Sequence, residues 1–597
     1  MSEFIFKPFE EMTPEDYAVV GFKSGLEIHQ QLLTEKKLFC RCPAGRYDTK
    51  YDAEILRHMR PTLSELGEYD GTALMEFKTK KEIIYRINRD TVCTYEMDDT
   101  PPFMIDEDAL DIALGIGMLY DCIMVDELHI ARKQYLDGSI PTGFQRTTIV
   151  GVDGKIPYKD RFIRIVQLGL EEDACREVSD VGHRRTYLTD RLGMPLIETV
   201  TAPDMRTPHE VAEVAQMLRR IVRSTGRVRT GIGAAREDVN VSVTGGTRVE
   251  IKGVPRIPRI PLLTYHEGMR QWNLLRLRAE LGRQGITTQT FTASFAEITE
   301  LFRKTPFLPI RSALANGMSV YGVRLNGFKG FLRWQTQTNT CFNQEISDRV
   351  RVIACLTTLP NMVHSDSPAE SLTSAEWRTA KKELNAGDED ALVIVWGPKV
   401  DAELGAQEVI IRAKEATIGV PSETRQALKD GTNGFERILP GPNRMYPDTD
   451  LPPKSVTTER LERIQASLPP HIVKRERWYK DIGVPADLIQ FLAVSPYANL
   501  FERCANDWDL SPKLVSVVLV QYPKRLKKKG LPVEKLNGET LEAVLKAVKE
   551  GKVFKEGLLP LLERVLASGK NPNKFLWPKA TERELRESIE QVVMSLK

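Results

Sequence analysis

The chain has 597 residues, 41% of them apolar and 28% charged, with a net charge of +2. That length exceeds what one hydrophobic core supports, so three to five folding units are expected, and the composition excludes a wholly disordered or fibrous protein. No run of eighteen apolar residues occurs, and the N-terminus MSEFIFKPFEEMTPED carries acids where a secretory leader carries bases, which reads as a soluble, cytoplasmic chain with no membrane partner. The eight cysteines are sparse and irregular, which predicts free thiols and at most one metal cluster. Charge is unevenly spread: residues 456–597 carry +7 and the rest −5, so the C-terminal quarter leans towards a polyanionic partner.

Residues 1–286 alternate β-rich runs (EIIYRIN, FIRIVQLGLEED, MPLIETVT, VNVSV, TRVEIKGV) with turn clusters, and confine helical spacing to DEDALDIALGIGMLYDCI and PHEVAEVAQMLRRIVRST. This is the pattern of a strand-dominated α+β domain, closed by a basic helix over 270–284. The composition then changes. Residues 287–419 have their own strands (MSVYGVRLNGFKGFL, ALVIVWG) and helices (SAEWRTAKKELN, AQEVIIRAKEAT), and read as an inserted α+β domain. The return segment 420–455 contains NGFERILPGPNRMYPDTDLPPK, whose prolines and glycines predict extended chain. From 456 the period is helical almost to the end, as a helical domain over 456–530 and a helical tail over 531–597, joined near Lys527 to Gly530.

The stretch VGFKSGLEIHQQL places Glu27, His29 and Gln31 at alternate positions, opposite Leu26 and Ile28, because successive side chains on a strand point to opposite faces. Such a face is either solvated or functional. Glu171 and Glu172 follow the apolar run VQLGL, and Glu198 sits inside PLIETVT. A carboxylate in such a run is costly to bury unless it is paired or bound to a cation, and one histidine with two or three carboxylates suits Mg²⁺ or Mn²⁺. Read on spacing alone, a solvated sheet face accounts for the same pattern. In GAAREDVNVSV and TRVEIKGV, Arg236, Asp238, Asn240, Glu250 and Lys252 lie on two strands joined at the turn Gly245-Gly246, and again the pattern fits a wet face or a site. Cys40, Cys42 and Cys93 make a C-x-C pair and a distant third thiol, with Glu96 completing an unusual set, so a degenerate or absent zinc site is expected. The chain lacks the phosphate-loop, nucleophile-elbow and dinucleotide signatures, so any nucleotide has to be held by carboxylates and metal. The basic residues Lys474, Arg475 and Arg477, and Lys524, Arg525, Lys527, Lys528 and Lys529, lie near Trp478, Tyr479 and Tyr522, and are candidates for contacting RNA phosphates or for a solvated linker.

Taken in order, GLEIHQQL, KLFCRCP, CTYEMDDTPP, GLEEDACR, PLIETVTAPDM, REDVNVSV, EIKG and RMYPDTDLPP make the chain resemble the family of B-type and E-type subunits of tRNA-dependent amidotransferases over nearly its whole length. The form HQQL, the sequence Cys93-Thr-Tyr-Glu96 in place of C-x-x-C, and the insertion before RMYPDTDLPP are similar to the E branch, that of the archaeal-type glutamyl-tRNA(Gln) amidotransferase. The resemblance implies a catalytic cradle domain, an insertion like that of bacterial-type aspartyl-tRNA synthetases, a helical domain and a small YqeY-like helical tail. It also implies ATP-dependent conversion of glutamyl-tRNA(Gln) to glutaminyl-tRNA(Gln) through a γ-glutamyl phosphate. Ammonia would come from an asparaginase-like D-type partner, in a heterodimer that doubles to α2β2. His29, Glu171 or Glu172, and Glu198 become expected Mg²⁺ ligands with Glu27 beside them, and Arg236, Asp238, Asn240 and Lys252 become residues orienting ATP or the glutamyl end. Zinc is not expected. The alternatives are a tRNA-binding scaffold without turnover and a B-type aspartyl/glutamyl-tRNA enzyme.

Overall fold

The structure, a computed structural model, describes residues 4–64, 67–367, 371–439, 441, 444–575 and 582–595. Pro440, Pro442 and Asn443 of the proline-rich return segment, and the end of the SGKNPNKFLWPK break, lie outside the described residues. The chain divides into two compact units, Met1–Met217 with Arg227–Ser467, and Leu218–Gly226 with Leu468–Lys597.

The first unit is built on an eleven-stranded sheet. Its strands are β1 (Lys23–Gln31), β2 (Ala131–Gln134), β3 (Phe144–Tyr158), β4 (Arg161–Glu172), β5 (Pro195–Thr201), β6 (Ala235–Ser242), β7 (Val249–Val254), β8 (Glu423–Ala427), β9 (Asn433–Ile438) and β10 (Met445–Pro447). Across the sheet they run β9-β8-β7-β6-β1-β5-β4-β3-β2-β10, and the short strand Ile123–Met124 pairs alongside β3. Along this order the neighbours are antiparallel, except β7 and β8. A parallel pair needs a long crossover, and here the crossover contains helix α1 (Ile260–Arg283) and the whole inserted segment.

The strand order also dictates curvature. The edge strands β9 and β10 are consecutive in the chain, and the seven steps from Ile438 to Met445 reach at most about 25 Å. Ten strands laid flat would be ~43 Å wide. The sheet therefore curls into a trough, and its edges meet where the Arg437 guanidinium on β9 lies 5.9 Å from the ring centre of Tyr135, just past β2. On the opposite face α1 packs against β6, with Gln271 donating to the Val241 carbonyl at 3.0 Å.

The inserted segment has a second sheet, ordered Ala293–Glu297, Ser319–Leu325, Ala391–Gly397 and Met362–His364, closed over a core that includes Phe302, Ile310, Val320, Ile394 and Trp396. Helix α2 (Phe342–Ile353) packs on β9 and on helix α3 (Lys399–Ala416). The second unit is helical among its described residues, from Ile472–Asp481 to Glu582–Ser595. In it the helices Ala498–Asn506 and Gly538–Lys549 are tied by Arg503 and Glu542 at 2.8 Å.

Two expectations from sequence are corrected. The basic helix expected over 270–284 begins ten residues earlier, because Pro261 stands in the first helical turn, where a missing N–H is harmless. Its Arg270 is not on a basic surface but fully buried, held at 3.0 Å by both Glu345 and Glu423. The helix Thr458–Ser467, read as opening the helical domain, belongs to the first unit, since Arg460 and Arg463 pair with Asp111 at 2.5 and 2.8 Å. Among the described residues no helix is long and apolar enough to cross a membrane.

Candidate active site

The inner face of the trough collects the polar residues of five central strands. His29 on β1 is the register partner of Glu198 on β5 and of Arg236 on β6, and Glu27 is the partner of Asp238. On a strand of period two, Glu27 and His29 share that face while Leu26 and Ile28 pack beneath it, both almost fully buried. The face is not a solvated one: His29 is 8% exposed and Gln31 1%.

Two groups of metal-type donors form side by side. In the first, His29 Nε2 lies 3.7 Å from Glu171 Oε1 and 3.5 Å from Glu198 Oε1, with the donor atoms within 4.8 Å of one another. The second brings together Glu27, Asp238 and Glu250, likewise within 4.8 Å. His29 bridges them, since its Nδ1 is 3.9 Å from Asp238 Oδ2 and has no hydrogen-bond partner among the described residues. Two lysines set the charge. Lys133 Nζ stands 2.8 Å from Glu171 Oε2 and 3.6 Å from Glu198 Oε2, and Lys252 Nζ stands 3.4 Å from both Asp238 and Glu250.

The titration of these groups follows from burial opposed by charge. Burial pushes the Glu27 carboxyl up to about 7, and the charges of Glu250, Glu198 and Asp238 add to it. For Glu198 burial acts in the same direction, but Lys133 and His29 overcome it and hold the carboxyl well below its usual range. Burial works against charged His29, yet Glu198 and Asp238 outweigh it and raise its pKa. One strand thus carries a carboxyl and an imidazole two residues apart, each raised above its ordinary pKa, the first chiefly by burial and the second by neighbouring carboxylates against burial.

The other expected residues fall into place unequally. Asn240 donates to Glu27 Oε1 at 3.0 Å. Arg236 lies beside His29 but donates to Asp173 Oδ1 at 3.0 Å, and Gln31 donates to the other oxygen of Asp173 at 2.7 Å. Glu172 is not with the donors: it alternates with Glu171, accepts from the Tyr95 hydroxyl at 2.7 Å, and is pushed up to about 7 by burial. That corrects its expected place as a ligand. Cys40, Cys42, Cys93 and Glu96 do converge within 4.8 Å, but buried Lys37 donates to Glu96 at 2.8 Å and to the Thr91 carbonyl at 2.5 Å. In the second unit Lys474 and Arg477 are exposed on one face of the helix Ile472–Asp481. Arg475 is on its buried face, pairing with Glu502 at 2.7 Å, and is removed from the set that could reach RNA. Lys524, Arg525, Lys527, Lys528 and Lys529 are exposed, the first four on the helix Tyr522–Lys528 rather than a linker, with Lys524 Nζ 4.0 Å from the ring centre of exposed Phe491.

Sequence reasoning missed Lys133, which sits in the charged stretch ARKQY. Its only signal was its position two residues before Tyr135, near the end of a short strand. It also left Glu250 outside the expected ligands, although Glu250 is the register partner of Asn240.

The family described as "GatB/GatE catalytic domain" matches residues 22–462. The chain belongs to that family. The match starts at the strand carrying Glu27 and His29 and runs through both donor groups of this GatB/GatE-family chain. Among its relatives, the E subunit of the glutamyl-tRNA(Gln) amidotransferase of Saccharolobus solfataricus is 38% identical, covering 92% of this chain and 87% of its own length. The E subunit from Methanocaldococcus jannaschii is also 38% identical, over 97% of this chain and 92% of its own, and that of Sulfurisphaera tokodaii is 37% identical over 98% and 93%. The likeness extends past the catalytic region into the helical second unit.

Proposed function

We propose that this chain is the transamidase component of a glutamyl-tRNA(Gln) amidotransferase, converting glutamate carried on tRNA(Gln) to glutamine with ATP. The observation that supports this most is the convergence of His29, Glu171 and Glu198 beside Glu27, Asp238 and Glu250, with one lysine at each group. The reaction transfers a phosphoryl group to a carboxylate, so the substrate supplies its own nucleophile and the protein supplies position and charge. The γ-carboxylate oxygen attacks the γ-phosphorus of ATP and ADP leaves. The nitrogen of ammonia then attacks the acyl carbon, the C–O bond breaks, and inorganic phosphate departs.

The donor set fits a hard divalent ion: one imidazole nitrogen and carboxylate oxygens, with Lys133 already compensating Glu171 and Glu198. Mg²⁺ held by His29, Glu171 and Glu198 would supply charge neutralisation for the triphosphate. Lys133 and Lys252, each fixed between two carboxylates, aim positive charge at the same inner face, where oxyanions crowd during transfer. Asp238 is held by Lys252 and by the Gly253 amide at 2.7 Å, which keeps it an ionised acceptor at the trough floor. Asn240 steadies Glu27, and Arg236 with Asp173 braces the far side of His29.

Ammonia reaches this chain from an asparaginase-like D-type partner, in an α2β2 assembly in the cytoplasm, and the exposed cations of the second unit engage the tRNA backbone. The residues 287–419, 456–530 and 531–597 serve as the synthetase-like insertion, the helical domain and the tail. The test is direct. The purified chain with its amidohydrolase partner, glutamyl-tRNA(Gln), ATP, Mg²⁺ and asparagine or ammonium is expected to yield glutaminyl-tRNA(Gln). The yield should vanish without ATP or Mg²⁺; amidation that proceeds without ATP refutes the reading.

A further inference from the structure

The polar ladder of the trough floor does not stop at the residues already described. Asn240 on β6 pairs in register with Glu250 on β7, Glu250 with Thr424 on β8, and Thr424 with Arg437 on β9. These side chains share the inner face and form a row that continues from Glu250 of the second donor group across the curved floor. The pairing steps from Thr424 with Arg437 to Arg425 with Phe435, so Glu436 is the extra residue of a bulge. A bulge re-aims the side chains beside it, and here the charge of Glu250 bears on both Glu436 and Arg437, although they are consecutive in the chain.

Along this row the described residues leave polar atoms without partners. Thr424 is fully buried and its Oγ1 makes no hydrogen bond. Arg437 is 7% exposed, and its Nε has no acceptor. Glu436 Oε2 and Asn240 Oδ1 are likewise buried and make no hydrogen bond, while the charges of Glu436 and Arg437 act chiefly on each other. The nearest carboxylate to Arg437 outside its own strand, Asp137, stands 3.8 Å from Nη1, and Arg437 and Arg444 both approach the Tyr135 ring, at 5.9 and 5.3 Å from its centre. A buried donor or acceptor left unmade bears its full desolvation penalty, so a run of them beside an active site is a set of groups that a ligand entering the row would satisfy. The ligand that answers it carries an anion and a cation close together: a carboxylate for Arg437 and Thr424, an ammonium for Glu436.

The glutamyl group of the substrate proposed above has this pair of charges, a γ-carboxylate and a free α-ammonium. We infer that Thr424, Glu436 and Arg437 form the subsite for the amino-acid end of the charged tRNA, Arg437 Nε and Thr424 Oγ1 meeting the side-chain carboxylate and Glu436 the α-ammonium. The inference rests on the functional reading of the previous subsection. The three residues follow the insertion in the chain, so the return strands carry substrate selection while β1, β4 and β5 carry the cation donors.

The test measures binding of three tRNA(Gln) forms, glutamyl, glutaminyl and uncharged, to the full chain with its amidohydrolase partner. Wild-type protein should bind the glutamyl form tightest and the uncharged form weakest. Arg437→Gln should weaken the glutamyl form about tenfold and make it equal to the glutaminyl form, the loss of one charge-assisted hydrogen bond. Glu436→Gln should weaken both charged forms about tenfold and leave the uncharged form alone. If Arg437→Gln does not fold, the isosteric Thr424→Val decides, through a smaller loss confined to the glutamyl form. A wild-type protein that binds all three forms alike overturns the inference. So do variants that keep the wild-type ranking, or a rise in KM for ATP with the ranking intact. Failure of the wild-type enzyme to amidate would instead strike the functional reading, and is scored separately in the amidation assay.

Discussion

Replacing Glu198 by glutamine is the sharpest perturbation of the proposed cation site, because it removes one charge without changing shape. Glu198 Oε1 is 3.5 Å from His29 Nε2 and Oε2 is 3.6 Å from Lys133 Nζ, in the middle of the inner face. At 3.5 Å and an effective dielectric of ~20, one unit charge on another is worth ~5 kcal/mol. A divalent ion in contact feels more, and the retained amide oxygen returns part of it. A net loss of about 3–4 kcal/mol corresponds to a 100- to 1000-fold weaker hold on the cation. The Mg²⁺ concentration giving half-maximal ATP-dependent amidation should therefore rise by about two orders of magnitude or more, or activity should vanish at any accessible Mg²⁺. Binding of tRNA, followed by filter retention, should be nearly unchanged. An unaltered Mg²⁺ requirement together with normal turnover would mean that Glu198 does not hold the ion, and the cation assignment would have to move to Glu27, Asp238 and Glu250.

Lys474→Ala combined with Arg477→Ala should weaken tRNA binding and flatten its salt dependence by about 2 in log–log slope, one for each phosphate no longer neutralised, whereas an unchanged slope would clear that helix face of a role. Arg475→Ala should instead lower the melting temperature, because it leaves Glu502 without the guanidinium 2.7 Å away; a variant as stable as wild type would show that this pair contributes nothing. Elemental analysis after dialysis against a chelator should give well under one zinc per chain, since the buried Lys37 ammonium already pairs with Glu96, the fourth member of the thiol set, and a retained stoichiometric zinc would reverse that reading. Fully buried Glu345 is held at about 2 by Arg425, Arg270 and Arg412 against the effect of burial. A folded-state pKa below the unfolded 4.5 gives stability that is present above pH 4.5 and lost as pH falls through 2, amounting to about 3 kcal/mol. Urea midpoints should fall across that window in wild type and much less in Glu345→Gln; parallel curves for the two proteins would count against it.

Glu27 and His29 were legible because an apolar run of period two leaves polar residues on one face, and burial then separated a working face from a wet one. The choice between Glu171 and Glu172 was not, since a strand points them opposite ways and only its pairing says which way is inward. Leu196 of β5 and Thr147 of β3 stand opposite Glu171, and that register turns it to His29 while Glu172 meets Tyr95. Arg475 looked like its neighbours Lys474 and Arg477 because nearby positions on a helix differ only in azimuth. Its burial depends on helices that follow it in the chain. Thr424, Glu436 and Arg437 were hidden for a stronger reason. They lie far along the chain from Glu250, are joined to it by a parallel pairing no local pattern announces, and depend on a bulge that shifts the alternation by one.

The same crossover explains why a large insertion is compatible with this site and yet is not a passive addition. Its two ends meet: the hydroxyls of Thr288 and Thr417 are 3.1 Å apart, and Arg278 of α1 donates to the Ile418 carbonyl at 3.1 Å. A segment that leaves and returns at one point imposes no strain on β7 and β8, so the trough could accept it without losing register. Once present, though, it supplies Glu345 from α2, which lies 3.0 Å from Arg270 on α1 and 3.1 Å from Arg425 on β8. Those arginines are fully buried under the return strands, and Arg425 is the neighbour of Thr424 on the opposite face. Removing a partner from a buried pair costs about 3–5 kcal/mol, so excising the segment would strip its anion from the support of the very strands that complete the inner face. The insertion is therefore held to the catalytic unit by charge, and the position of Thr424 and Arg437 depends on it even though no residue of the insertion joins the row they form.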